Sequence, residues 1–325
     1  MKDLSVNYLG LKLKNPIIIS SSGLTCSAER ITSLAEAGAG AVVVKSLFEE
    51  QIDIETAAQN YFAFYPEAND YIAEYTRYHS IEKHLNIIKE AKKSCSIPII
   101  ASISCVSPGE WTTFAKRFEE SGADALELNM FILPVDKDLN QADIEKKYLE
   151  TVSKVCDNIS IPVSVKIGQN FTNIPELIRE LSFRGAKGVV MFNRFYEPDI
   201  DIEKMTVTAG NIFSMPSDFR NVLRWLSIAS SAVKNIDYAA STGIHDGEAA
   251  VKALLAGATG VQLCSAVYQK GETVIGDILG FMESWMNRHH FQSAADFIGK
   301  MNYDRIQNPL VYERTQFMKY FASKE

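Results

Sequence analysis

Residues 237–265 read Asp237-Tyr-Ala-Ala-Ser-Thr-Gly-Ile-His-Asp-Gly-Glu-Ala-Ala-Val-Lys-Ala-Leu-Leu-Ala-Gly-Ala-Thr-Gly-Val-Gln-Leu-Cys-Ser265. Two short apolar runs, 237–241 and 260–265, enclose a helical pattern at 247–256, and Asp246 stands where an N-cap belongs. Strand, helix and strand in this order make one β-α-β unit with parallel strands. The same alternation extends through the chain. Further β-branched, apolar runs occupy 17–20, 41–45, 99–102, 125–129, 163–166 and 188–193, giving eight in all. Amphipathic stretches lie between and after them at 28–37, 79–93, 111–121, 144–156, 175–184, 218–233 and 274–288. Pro175 suits a first helical turn, and Gly38 and Gly185 sit just past helix ends. Eight β-α repeats predict an α/β fold, a closed (β/α)8 (TIM) barrel.

Outside the repeats, two alternating runs flank Gly10 and read as an N-terminal β-hairpin that plugs the barrel floor. Two connections exceed ordinary loop length, 46–78 and 194–217, both on the catalytic side. Their aromatics, Tyr61, Phe62, Phe64, Tyr65, Tyr71, Phe195, Tyr196 and Phe213, suggest lids or a dimer surface. Helix-like sequence at 309–321 suggests a C-terminal helical extension packed outside the barrel. The expected organisation is a single domain over 1–325, with the barrel at about 15–290 and the tail at 291–325.

The net charge of −7 and a pI near 5.4 argue against nucleic acid as a partner, because phosphate backbones demand clustered cations. Five widely spaced cysteines, with no C-x-x-C pair, fit neither a disulfide framework nor a thiolate metal site, and imply a reducing cytoplasm. No run approaches the length of a membrane span or a signal peptide. A soluble protein acting on small molecules is expected.

Barrel active sites form where the strands end. Ser21, Lys45, Asn129, Lys166, Asn193, Thr242 and Ser265 all stand at or just past such ends. Lys45 closes Ala41-Val-Val-Val-Lys45 and Lys166 closes Val163-Ser-Val-Lys166, so each amine leaves an apolar strand for a half-buried mouth. There a lysine needs an anion, since desolvating an unpaired ammonium is costly. A neighbouring carboxylate would suffice, but two lysines with Asn129 and Asn193 favour a bound anionic ligand. After strands seven and eight, Gly243 permits close backbone approach, and Cys264 and Ser265 begin a loop that could complete a phosphate cradle. The plain alternative is that these glycines serve only as turn residues. A phosphate anchor facing lysines and amides suits flavin mononucleotide (FMN), and Lys166 is the candidate to stabilise the reduced ring.

These residues resemble the dihydroorotate dehydrogenase family, and within it the soluble class 1 branch. The resemblance runs from about Leu4 to Tyr268 and rests on Leu9-Gly-Leu-Lys-Leu-Lys-Asn-Pro16, Ser20-Ser-Ser-Gly23, Val43-Val-Lys-Ser46, Leu126-Glu-Leu-Asn129, the Lys166 strand, Asn193, and Gly257-Ala-Thr-Gly-Val-Gln-Leu-Cys-Ser-Ala266. It implies that Ser22, Gly23, Lys45, Ser46, Asn129, Lys166, Asn193, Thr242, Gly243, Cys264 and Ser265 contact FMN. It further implies catalytic roles for Lys45, Lys166 and Asn193, and a place beside the substrate for Lys45 and Asn193.

The sequence departs from the family in the substrate loops. The family's strand-four loop carries the Cys or Ser that takes a proton from dihydroorotate, whereas here Asn129 is followed by Met-Phe-Ile-Leu-Pro-Val-Asp136, and none of residues 130–133 can act as a base. The loop after strand two is altered at 60–69, Thr242-Gly243 replaces a glycine pair, and Cys264 replaces a glycine. Arg194 replaces a small hydroxyl residue and could grip a substrate carboxylate bidentately. Candidate replacement bases are Cys105, Tyr196 and His245. The resulting expectation is oxidation of dihydroorotate, or a similar small acid, with FMN in pyrimidine biosynthesis, by a cytoplasmic homodimer using a soluble electron acceptor. The alternatives are FMN-dependent reduction of another pyrimidine or enoate, and a non-catalytic flavin- or phosphate-binding barrel.

Overall fold

The computed structural model describes residues 2–50, 66–104, 109–194 and 197–312, with the backbone alone for 66–78. The first described elements are the expected hairpin, β1 (Val6–Tyr8) paired antiparallel with β2 (Leu11–Leu13). Leu9 and Gly10 turn it, both with positive φ (58° and 76°). Along the chain then follow β3 (Ile17–Ile19), α1 (Ala28–Glu36), β4 (Ala41–Val43), β5 (Leu47–Phe48), α2 (Pro66–Ser94), β6 (Ile99–Ser104), α3 (Glu110–Glu120), β7 (Ala125–Asn129) and α4 (Gln141–Cys156). The second half contains β8 (Val163–Ile167), α5 (Ile174–Phe183), β9 (Gly188–Met191), β10 (Pro198–Asp201), β11 (Thr206–Ala209), α6 (Phe219–Ala232), β12 (Asp237–Ser241), α7 (Gly247–Leu255), β13 (Gly260–Leu263), α8 (Ser265–Lys270) and α9 (Thr273–Arg288).

Eight of these strands, β3, β4, β6, β7, β8, β9, β12 and β13, pair in parallel with their neighbours, and β13 returns to β3 to close the barrel. Closure explains the composition of the runs. With helices outside and side chains within, both faces of each strand are buried, so the strands read as continuous Val, Ile and Ala rather than as alternation. The helices take caps foreseeable from sequence: Asp246 accepts from the Ala249 amide at 2.9 Å, and Pro175 lies in the first turn of α5.

The hairpin closes the floor. The Leu9 amide donates to Asp237 at 2.7 Å, and a Cβ on Gly188 or Gly260 would lie 2.4 Å from a Leu9 methyl or 2.8 Å from an Ile18 methyl, so these strand starts pack closely. Burial raises the Asp237 carboxyl above its ordinary range.

Two connections differ from expectation. Much of the segment at 46–78 is helix, because Pro66 opens α2 and good helix formers such as Glu67, Ala68, Ala73 and Glu74 follow it. The segment at 194–217 contains the β10–β11 hairpin, which is exposed along nearly all of both strands. Of the aromatic lid candidates, Tyr61, Phe62, Phe64, Tyr65, Phe195 and Tyr196 lie outside the described residues, as does the Tyr71 side chain. In the tail, short 3-10 turns occur at Ala294–Asp296 and Pro309–Tyr312, and the rest of 309–321 lies outside the described residues. Cys26, Cys95, Cys156 and Cys264 are free thiols. Among the described residues no helix is long and apolar enough to cross a membrane.

Candidate active site

The barrel interior is polar where the strands end. Lys166, near the end of β8, donates from Nζ to Ser20 Oγ and Gln262 Oε1, both at 3.0 Å. Ser20 and Gln262 come from the ends of β3 and β13, so three strands converge on one ammonium. Gln262 donates in turn to Glu127 Oε2 on β7 at 2.6 Å, and the second Glu127 oxygen lies 3.9 Å from Lys166 Nζ. The Lys166 and Glu127 side chains are only 8% and 1% exposed. The plain alternative weighed from sequence, a neighbouring carboxylate, is thus present as Glu127, which the sequence reading did not name.

Above Lys166 opens a cavity of about 350 Å³, lined by Ser20, Ser21, Lys166, Asn193, Arg194, residues 210–212, Ser214, residues 241–244, Gln262, Cys264 and Ser265. This volume falls within the range of small-ligand pockets. Of the residues expected from sequence, Lys166, Asn193, Arg194, Thr242, Gly243, Cys264 and Ser265 meet here. Asn129 stands behind, accepting from Asn193 Nδ2 at 2.9 Å. Ser46 joins through a row of hydroxyls, Ser21 to Ser46 at 2.8 Å and Ser46 to Ser102 at 2.7 Å. Ser22, Gly23 and Lys45 do not line the cavity, although a Cβ on Gly23 would come 2.7 Å from the Tyr268 hydroxyl.

The end formed by β12 and β13 is held by backbone geometry. Thr242 and Gly243 both have positive φ (80° and 78°), and the Thr242 hydroxyl donates to the Phe192 carbonyl at 3.0 Å. A Cβ on Gly243 would lie 2.3 Å from the Phe219 amide nitrogen, so only glycine allows the loop to meet the start of α6. Ser214, unsignalled in the sequence, joins this end: its amide donates to Ser265 Oγ at 3.0 Å and its hydroxyl lies 3.1 Å from His245 Nε2. His245 does not line the cavity, and burial holds its imidazole below the ordinary value. Burial likewise pushes the Cys264 thiol up.

The other side of the mouth differs. Residues 130–133 line a separate cavity of about 370 Å³, with Glu50, Ser104, Trp111 and, from α4, Lys147, Glu150, Thr151 and Lys154. Residues 130–133 themselves bring apolar groups only. Arg194 does face the first cavity, but its Nη1 donates to the Ile212 carbonyl at 2.7 Å and its Nη2 to the Asn211 carbonyl at 2.7 Å and to Glu197 at 3.2 Å. Both terminal nitrogens are thus engaged, while Nε has no hydrogen-bond partner among the described residues. Arg194 ties down the chain returning from the β10–β11 hairpin. Of the other base candidates, Cys105 and Tyr196 lie outside the described residues. A larger cavity, about 710 Å³, lies at the barrel floor near Leu9 and Asp237, away from the strand ends where barrel chemistry occurs. No cluster of His, Cys, Asp and Glu among the described residues could hold a metal ion.

The model of one protein family, dihydroorotate dehydrogenase, matches residues 3–286. The catalytic subunit of dihydroorotate dehydrogenase B (NAD(+)) from Thermoplasma volcanium is 26% identical over 319 residues, covering 92% of this chain and 98% of that protein. The corresponding Pyrococcus abyssi subunit is 28% identical, covering 91% of this chain and 98% of the relative. A subunit of the NAD-dependent dihydropyrimidine dehydrogenase of Escherichia coli is 24% identical, covering 93% of this chain and 77% of the relative.

Proposed function

The chain belongs to the dihydroorotate dehydrogenase family and is an oxidoreductase acting on CH–CH groups, and from that premise we propose that it works with FMN to oxidise dihydroorotate to orotate in pyrimidine biosynthesis. The observation that carries the cofactor reading is the Lys166 ammonium, oriented by Ser20 and Gln262 at the wall of the 350 Å³ cavity. Two of its three N–H groups have acceptors in the protein, which leaves one for a ligand. The donor set fits FMN: a cation for the ring edge, amides at Asn193 and Asn129, and, for the phosphate, Thr242, Gly243, Cys264 and Ser265 with Ser214 beside them. Ser22, Gly23, Lys45 and Ser46 complete the proposed contacts, and Lys45 and Asn193 those to substrate. Bound flavin would supply the two-electron acceptor that no side chain provides. The same reading includes a single domain, a soluble electron acceptor, a homodimer and a cytoplasmic location.

A second reading, reduction of a different pyrimidine or an enoate, is favoured by one observation. Residues 130–133 carry no proton acceptor and line a different cavity, so the family's base is missing from its usual loop. Anaerobic titration of the flavin-loaded protein with dihydroorotate separates the two. Bleaching of the flavin absorbance is the result expected for dihydroorotate oxidation. A flavin that dithionite reduces but dihydroorotate does not would overturn it in favour of the second reading.

A further inference from the structure

Glu127 lies in the middle of a barrel strand, and the proposed function gives it no role. Its side chain is buried, and the Gln262 NH2 donates to its Oε2 at 2.6 Å. That fixes the Gln262 amide oxygen toward Lys166 Nζ, at 3.0 Å, and toward Ser20 Oγ, at 3.1 Å. Lys166 also donates to Ser20 Oγ, which in turn donates to Gln262. The hydrogen-bond directions among Glu127, Gln262, Lys166 and Ser20 thus follow one from another, starting at Glu127. A reversed Gln262 would point its NH2 at an ammonium. The carboxylate also opposes the lysine's charge without bonding it: Oε1 lies 3.9 Å away and has no hydrogen-bond partner among the described residues.

We propose that Glu127 is a positioning residue that sets the reduction potential of the bound flavin through Gln262 and Lys166. The inference rests on the FMN reading above. With Glu127 in place, the cavity wall presents a directed N–H from a nearly neutral pair. Without its charge, a buried ammonium lacks a counter-ion, and an anionic reduced cofactor takes that place better than a neutral oxidised one. The potential then rises. If Gln262 is removed instead, Ser20 alone holds the ammonium against the pull of Oε1, and its retreat from the cavity lowers the potential.

The test is the midpoint potential of FMN bound to the wild-type protein and three variants, by equilibration with a reference dye. Glu127→Gln keeps an acceptor for Gln262 and removes the charge; it is expected to raise the reduced-to-oxidised affinity ratio about tenfold or more, a shift of about +30 mV for a two-electron couple. Glu127→Asp keeps the charge and is expected to restore a value close to wild type. Gln262→Leu is expected to move the potential in the opposite direction. A potential unmoved in Glu127→Gln would show a structural carboxylate only and overturn the proposal. If that variant does not fold, Gln262→Leu decides: a fall supports the proposal, and no change overturns it. Failure of the wild-type protein to take up FMN would overturn this inference together with the cofactor reading, whereas uptake with unmoved potentials overturns the inference alone.

Discussion

Around Lys166, polar side chains from β3, β7, β8 and β13 hold one another; just past the end of β7, the 130–133 loop presents apolar ones. Lys166, Ser20, Gln262 and Glu127 form one bonded set, each buried and each dependent on the others. In the 130–133 loop the side chains are apolar, with Met130 buried in the core but Phe131 40% and Leu133 49% exposed. Removing one member of a buried polar set leaves its partners unsatisfied in a low-dielectric interior. A partly exposed apolar side chain leaves no such debt to its neighbours. The two regions therefore differ in how freely they can be rebuilt: the Lys166 set resists single changes, while the more exposed loop positions 131 and 133 tolerate them.

That contrast can be broken by mutation. The largest effect is expected from Lys166→Met, which leaves Glu127 buried without its counter-charge; it should reduce stability by about 3–5 kcal/mol, measured by urea unfolding. A loss below about 1 kcal/mol would mean that the set is not mutually dependent. Gly243→Ala should come next. Its Cβ would strike the Phe219 backbone in a left-handed conformation, so a loss of about 1–3 kcal/mol is expected together with weaker flavin binding, read by thermal unfolding and flavin titration. The smallest effect belongs to Phe131→Ser, which should leave stability within about 0.5 kcal/mol and flavin affinity within about twofold in the same assays. A larger loss there would tie the loop to the Lys166 set after all.

Much of this was legible in the chain, for definite reasons. Barrel strands are buried on both faces, so they appear as apolar runs whose polar ends mark the mouth, and α7 at Gly247–Leu255 nearly matches its expected range. The β10–β11 hairpin was not legible because both of its faces meet solvent, so the alternation of Ile200 and Ile202 with aspartates records no core. Glu127 and Gln262 left a signal that strand ends alone do not reveal: each is a polar residue inside an otherwise apolar run. In Ala-Leu-Glu-Leu-Asn, Glu127 shares its side of the strand with Asn129. The local partners of Arg194 were hidden for another reason. A guanidinium's partners are chosen by the nearest carbonyls, and Asn211 and Ile212 lie seventeen and eighteen residues away across the hairpin.

The row of Ser21, Ser46 and Ser102 hydroxyls has no preferred direction, since in each pair either oxygen can be the donor. Rotation of the three O–H bonds reverses the polarity of the whole row while every heavy atom stays in place. Ser21, at the cavity end, can therefore greet an arriving atom as a giver or a receiver of a proton bond. At that point of the wall the ligand, rather than the protein, decides which.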